Sequence, residues 1–61
     1  MNLAIKTEKL EDGSWLASVD WSKGDAGNAG TPGTIRYGDT EDEARTRLKD
    51  RLIEKGHNII N

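Results

Sequence analysis

A helix-forming segment in the last third of the sequence constrains the fold more than any other part of the chain. Thr40 is followed three residues later by Glu43, which is the spacing of a capping box: the Thr40 hydroxyl accepts from the Glu43 amide, and the Glu43 carboxylate accepts from the Thr40 amide. Gly56 stands where such a helix would stop. Between them a narrow apolar stripe recurs every four residues at Ala44, Leu48 and Leu52. The segment therefore predicts one helix that packs by a single face onto another element.

The charges of this predicted helix follow the helix dipole. Its first turn carries Glu41, Asp42 and Glu43, and basic residues fill the later turns. Consecutive helical residues point about 100° apart, so these carboxylates do not converge, and we expect no metal site there. Farther along, Arg45 and Lys49 form a basic row that is either a solvated face or a contact for an acidic surface.

Three segments before the helix have the alternation of β-strands, at residues 2–10, 14–21 and 34–37. In the first, Leu3, Ile5 and Thr7 share one side, and Ala4, Lys6 and Glu8 the other. Asp12-Gly13 supplies the tight turn to the second strand. The face of the second strand that should meet the helix stripe consists of Trp15, Ala17, Val19 and Trp21. In the third, Ile35 and Tyr37 share a face.

These elements predict an α+β fold: a three-stranded antiparallel meander with one C-terminal helix packed on one face, in the order βββα. Residues 22–33 hold four of the seven glycines and the only proline, and we interpret them as a flexible Gly-rich loop. A loop of this length either simply connects strands or wraps a partner. Residues 57–61 are expected to form a short extra strand or a loose end.

Length and composition indicate a single domain over residues 1–61, because a chain this short forms only one core. It has no cysteine and one histidine, so neither a disulfide nor a zinc cluster stabilises it, which leaves tight local structure and self-association. No signal peptide or membrane span is visible, and we expect a cytoplasmic protein. The net charge of −2 lacks the basic excess that nucleic-acid binding requires.

No group of residues indicates catalysis, a metal or a cofactor. The Gly-rich loop lacks the Gly-Lys-Ser/Thr ending of a phosphate-binding loop. His57 follows the helix, where the dipole favours a positive charge, and no nucleophile or orienting group is placed near it by the sequence. We therefore expect a protein without enzymatic activity.

The two tryptophans of the second strand allow two interpretations: both belong to the core, or one exceeds what a three-residue helix stripe covers and is exposed for binding. An uncovered Trp21, together with Tyr37 and Ile53, would supply the large side chains typical of binding hot spots. Ile53 points away from the helix stripe. The predicted partner-binding residues are Trp21, Tyr37, Ile53, Arg45 and Lys49.

The order of these elements resembles the N-terminal domain of HicB-like antitoxins, which has a partial double-stranded-RNA-binding-like fold. The resemblance covers residues 3–55 and rests on a Gly-Asp-Thr-x-x-Glu-Ala box, matched position by position at Gly38, Asp39, Thr40, Glu43 and Ala44. It implies stoichiometric binding to a ribonuclease toxin, and self-association. The chain departs from the family after the second strand, where Asp20-Trp21-Ser22-Lys23-Gly24 replaces Pro-Asp-Leu-Pro-Gly, and 61 residues leave no room for a DNA-binding segment.

The sequence thus favours a protein-binding module that inhibits a nuclease or another nucleic-acid-targeting effector, in the manner of a HicB-like antitoxin. One alternative is a phage-encoded inhibitor of a host defence system, comparable to an anti-CRISPR protein. A second is a weak RNA-binding module, which the net charge does not favour.

Overall fold

The structure, a computed structural model, describes residues 1–25 and 34–61. Strands β2, β3 and β4 form an antiparallel sheet in that order, and β1 pairs in parallel with β5 as a separate two-stranded sheet. The predicted α+β arrangement is confirmed, and the C-terminal segment is a strand. In chain order the elements are β1 (Asn2–Leu3), β2 (Ile5–Lys9), β3 (Trp15–Val19), β4 (Arg36–Gly38), α1 (Glu41–Glu54) and β5 (Asn58–Ile59).

Helix α1 begins and ends where the sequence predicts. The Thr40 hydroxyl accepts from the Glu43 amide at 3.1 Å, which is half of the capping box. The predicted second hydrogen bond, from the Thr40 amide to the Glu43 carboxylate, is wrong, because that carboxylate pairs with Arg47 at 2.5 Å. At the end, the Gly56 and His57 amides donate to Ile53 and Leu52, at 2.9 and 3.0 Å. This is a Schellman cap, and Gly56 supplies its left-handed residue with φ of +93°.

The core lies between α1 and one face of the three-stranded sheet. The stripe Ala44, Leu48 and Leu52 is fully buried, as predicted. The strand residues buried against it are Leu3, Ile5, Ala17 and Val19, with Trp15 partly buried at the margin. Gly38 lets the helix start close to β4: a Cβ there would lie 2.6 Å from the Ala44 amide nitrogen. Small residues therefore set the short distance between helix and sheet.

The predicted first strand is divided at Ala4. Leu3 pairs with β5, whereas Ile5 pairs with Val19 of β3, so the chain changes partner between them. Ala4, which the alternation places on the side of Lys6 and Glu8, is fully buried, whereas those two residues are exposed. The segment after β3 crosses back over this point: the Asp20 amide donates to the Ala4 carbonyl at 2.9 Å, and the Asp25 amide to the Asn2 carbonyl at 2.7 Å.

The second and third strands also differ from their predicted bounds. Strand β3 ends at Val19, and Trp21 does not share the helix-facing side with Trp15, which corrects the expectation. The cause is the Asp20 carboxylate, which accepts from the Ser22 amide at 2.9 Å and from the Ser22 hydroxyl at 2.7 Å. These hydrogen bonds turn the chain after Val19. Strand β4 begins two residues later than predicted and includes Gly38.

Both ends of the chain are tied to the sheet. The Asn58 amide donates to the Met1 carbonyl at 2.8 Å, and the Ile60 amide to the Leu3 carbonyl at 2.9 Å. The Asn61 side-chain amide bonds both backbone groups of Ile5, at 3.0 and 2.8 Å, as a neighbouring strand would. Of the predicted 22–33 loop, residues 26–33 lie outside the described residues. Within the described ranges, no helix has the length and apolar character needed to cross a membrane.

Candidate functional site

No helix or strand of the described residues packs on the face of the three-stranded sheet opposite the helix. Successive strand residues point to opposite sides, so the residues between the buried ones of β3 face away from α1. The register aligns Glu8, Leu16 and Tyr37 in one row across the three strands, and Lys6 with Ser18 in the next. We call this the open sheet face; it consists of Lys6, Glu8, Leu16, Ser18 and Tyr37, with Ile35 just before β4 at the parity of Tyr37.

Tyr37 is the largest side chain of the open sheet face and is 53% exposed. Its backbone carbonyl points to the outer edge of β4 and accepts from the Arg47 guanidinium at 2.7 Å. The Ile35 carbonyl is covered in the same way by Arg36, also at 2.7 Å. Arginines thus occupy carbonyls that would otherwise pair with another strand, which blunts this edge. The face of the sheet remains available, and its edge at β4 does not.

A second surface lies on one flank of α1. Arg45, Lys49 and Ile53 follow one another at intervals of four residues and therefore share a side of the helix. Ile53 is 51% exposed, Lys49 is exposed and Arg45 is half-buried. We call this row the helix flank. It offers two positive charges next to one apolar side chain, a combination suited to an acidic surface with an apolar contact.

Trp21 lies in a third place, the turn that follows β3. It is 63% exposed, the most exposed large apolar side chain among the described residues. The turn is held by the Asp20 carboxylate, whose pKa lies below its ordinary value of 3.8, first because of the Ser22 hydroxyl and amide, then because of Lys23 and Lys6. Trp21 is therefore displayed on a hydrogen-bonded turn.

The five residues predicted from sequence do not form one surface. Arg45, Lys49 and Ile53 come together on the helix flank, whereas Tyr37 points away from the helix, across the thickness of the sheet. Sequence reasoning also left out Ile60, which is 53% exposed. The alternation of a short strand could have indicated it: successive residues point to opposite sides, so with Ile59 against the core Ile60 points outward.

The described residues show no arrangement typical of catalysis or metal binding. In residues 1–25 and 34–61, no three His, Cys, Asp or Glu side chains are grouped as metal ligands. Among these residues, His57 Nδ1 is buried and has no hydrogen-bond partner, and its amide closes the helix cap. Glu41, one of the acidic residues of the first helical turn, accepts from the Thr7 hydroxyl at 2.7 Å and so ties α1 to β2.

No family model, curated protein or solved structure matches this chain. The fold defines it as a small α+β domain with a helix on one face of an antiparallel sheet. The resemblance to HicB-like antitoxins stays a prediction that rests on the box from Gly38 to Ala44. In the structure four of its members have a physical role: Thr40 accepts from the Glu43 amide and caps the helix, Ala44 is buried, and Gly38 permits the close approach of the helix.

Proposed function

We propose that this protein is a non-enzymatic binding module that inhibits a nuclease, or another effector that acts on nucleic acid, by stoichiometric contact in the manner of a HicB-like antitoxin. One observation carries the proposal. Five large apolar side chains are exposed in the described part of the chain: Trp21, Ile35, Tyr37, Ile53 and Ile60. Aromatic side chains at a surface are the residues that most often dominate protein binding.

The partner contacts proposed are the helix flank, Trp21 and Tyr37. The flank lies about 100° around the helix from the buried stripe, whereas Tyr37 lies on the far face of the sheet, so in this proposal a single rigid partner contacts one or the other. We assign the primary contact to the helix flank because Ile53 is on a helix whose two ends are capped and whose stripe is buried. A surface on a rigid element loses little conformational entropy on binding. Trp21 and Tyr37 are secondary contacts in this proposal.

The charge of the helix flank separates two kinds of target. A small basic ribonuclease toxin would be repelled by Arg45 and Lys49 and would fit the acidic start of α1, where Asp39 and Asp42 are exposed. An acidic effector surface would fit the flank. This second case corresponds to the alternative function, a phage-encoded inhibitor of a host defence system. Both act in the cytoplasm, where we place this protein.

Affinity capture followed by reconstitution tests the proposal. The tagged protein is used as bait in a lysate of its native host, the captured protein is purified separately, and binding is measured between the two pure components. We expect Ile53→Ala and Trp21→Ala to weaken binding by about tenfold or more, because hot-spot truncations cost roughly 2 kcal/mol. The matched control is Lys55→Ala, an exposed position beyond the flank. Equal affinity of all variants would contradict the assignment.

Charge reversal on the flank then identifies the kind of target. For an acidic partner, Arg45→Glu with Lys49→Glu lowers affinity, and the loss shrinks at high salt. For a basic nuclease the same variant binds more tightly, and Asp39→Lys with Asp42→Lys weakens binding instead. Absence of any nuclease or nucleic-acid-targeting protein from the captured material would contradict the proposed function itself.

A further inference from the structure

The open sheet face is complementary in charge to a second copy of itself. On β2, Lys6 and Glu8 occupy successive positions of this face and carry opposite charges. Both side chains are exposed. On the β4 side of the same two rows, Ile35 and Tyr37 are large, apolar and exposed. The face thus has one charged margin and one apolar margin, and each margin contains two different members.

Consider a two-fold axis midway between two copies of the face, parallel to the face and perpendicular to the strands. If this axis passes between the two rows, it places the members of one row over those of the other. Under this operation each strand lies over its own copy in the opposite direction, as in two packed sheets about 10 Å apart. Lys6 of one copy then faces Glu8 of the other, twice. Tyr37 faces Ile35 of the other copy, also twice, and in the middle strand Leu16 faces Ser18 of the other copy. Opposite charges meet, and apolar side chains meet.

One other arrangement of the same face, and association through either edge of the sheet, are less favourable. An axis along the strands would place the charged margin of β2 over the apolar margin of β4, so Lys6 would face Ile35 and Glu8 would face Tyr37. Association through the edge of β4 is hindered, because Arg36 and Arg47 occupy the outward carbonyls of Ile35 and Tyr37. On the edge of β2, the Asn61 amide occupies both backbone groups of Ile5.

We propose that the open sheet face is a homodimer interface in which Lys6 of each copy pairs with Glu8 of the other around the Tyr37, Ile35 and Leu16 contacts. Two strands of five residues and one of three give a footprint of roughly 210 Å². Stable interfaces bury about 800 Å² on each partner, so this dimer is weak and forms at high protein concentration. The proposal concerns the pure protein and does not depend on the function proposed above.

Charge exchange between the two positions tests the pairing. Sedimentation velocity is measured on the pure protein from low micromolar to millimolar concentration. We expect the wild type to approach twice the monomer mass as concentration rises. Lys6→Glu and Glu8→Lys each place like charges opposite one another, so each variant stays monomeric. An equimolar mixture of these two variants restores opposite charges at both contacts and forms a heterodimer, and the double exchange restores the homodimer.

Controls separate the interface from folding and from net charge. Lys9→Glu makes the same charge change in the same strand at an exposed position of opposite parity, and it should dimerise like the wild type. Circular dichroism melts confirm that every variant is folded. A wild type that stays monomeric at millimolar concentration would overturn the proposal. So would single variants that dimerise as strongly as the wild type, or a mixture that remains monomeric.

Discussion

The two faces of β3 lie in different surroundings. Towards the helix it presents Ala17 and Val19, which are buried, and away from the helix it presents Leu16 and Ser18, which are half-buried. The same contrast holds for the whole domain. The core between helix and sheet consists of small and aliphatic side chains, whereas the aromatic Trp21 and Tyr37 lie outside.

Among the described residues no aromatic side chain is fully buried, which we relate to the width of the helix stripe. Three residues of α1 reach the sheet, so only a narrow core is available. Leucine, isoleucine, valine and alanine side chains fill it. Trp21 and Tyr37 are left exposed by this fold, and their chemical character makes them available for contact with another protein.

The largest expected effect comes from the buried stripe. Leu48→Ala should lower the free energy of unfolding by about 2 to 5 kcal/mol, because it removes fully buried methyl groups and leaves a cavity. Ile53→Ala on the same helix should change it by less than about 0.5 kcal/mol. Urea titrations followed by circular dichroism measure both. Similar losses for the two variants would remove the distinction between stripe and flank.

The two tryptophans give the next contrast. Trp15 packs against the core margin, so Trp15→Ala should cost about 2 kcal/mol, less than for a fully buried tryptophan. Trp21→Ala should leave the stability within about 0.5 kcal/mol of the wild type and weaken partner binding. Thermal melts and binding measured on the same samples check this. A large stability loss for Trp21→Ala would place that side chain in the core.

A smaller effect is expected at the start of the helix. Gly38→Ala brings a Cβ to 2.6 Å from the Ala44 nitrogen and 3.0 Å from the Glu43 carbonyl carbon, so helix and sheet must separate. Overpacking of this kind costs about 1 to 3 kcal/mol. Gly13→Ala is the matched control: it meets no atom within 4 Å but has φ of +90°, which costs about 1 kcal/mol. Stability of Gly38→Ala at the wild-type level would contradict the close approach.

The smallest effect concerns acid pH and the turns at the two ends of β3. Hydrogen bonds from the Ser14 hydroxyl and amide lower the pKa of Asp12 below 3.8, and the Ser22 hydroxyl and amide act likewise on Asp20. Because the folded pKa is the lower one, this stabilisation is complete above 3.8 and is lost as the pH falls through the lowered folded values. In the double variant Asp12→Asn with Asp20→Asn, the melting temperature should depend less steeply on pH in that range. An unchanged acid dependence would show that other groups cause it.

The sequence predicted the helix and the order of the elements well because their signals are local. Thr40, Gly56 and the four-residue stripe each act within one or two turns of the chain. It could not predict the division of the first strand at Ala4, since that depends on β5 and on Asp25, which lie far along the chain. The prediction of the reciprocal capping bond failed for a local reason, because Arg47, one helical turn later, takes the Glu43 carboxylate.

The candidate site was predicted residue by residue but not as a surface. The exposure of Tyr37 and Ile53 follows from periodicity, and the structure has both exposed. Their separation depends on the register of β4 against β3, which places Tyr37 beside Leu16, and a three-residue strand does not determine that register from its sequence. Trp21 was misplaced on the helix side, because alternation was extended through Asp20, where a side-chain hydrogen bond ends the strand.

The most direct test of the proposed function is a titration of the captured nuclease's activity with this protein. Stoichiometric binding predicts that activity falls linearly with the molar ratio, reaches its minimum at a fixed ratio and does not change with longer incubation when binding is tight. Progressive loss of activity with time at trace amounts of the protein would mean turnover, and would contradict a non-enzymatic inhibitor.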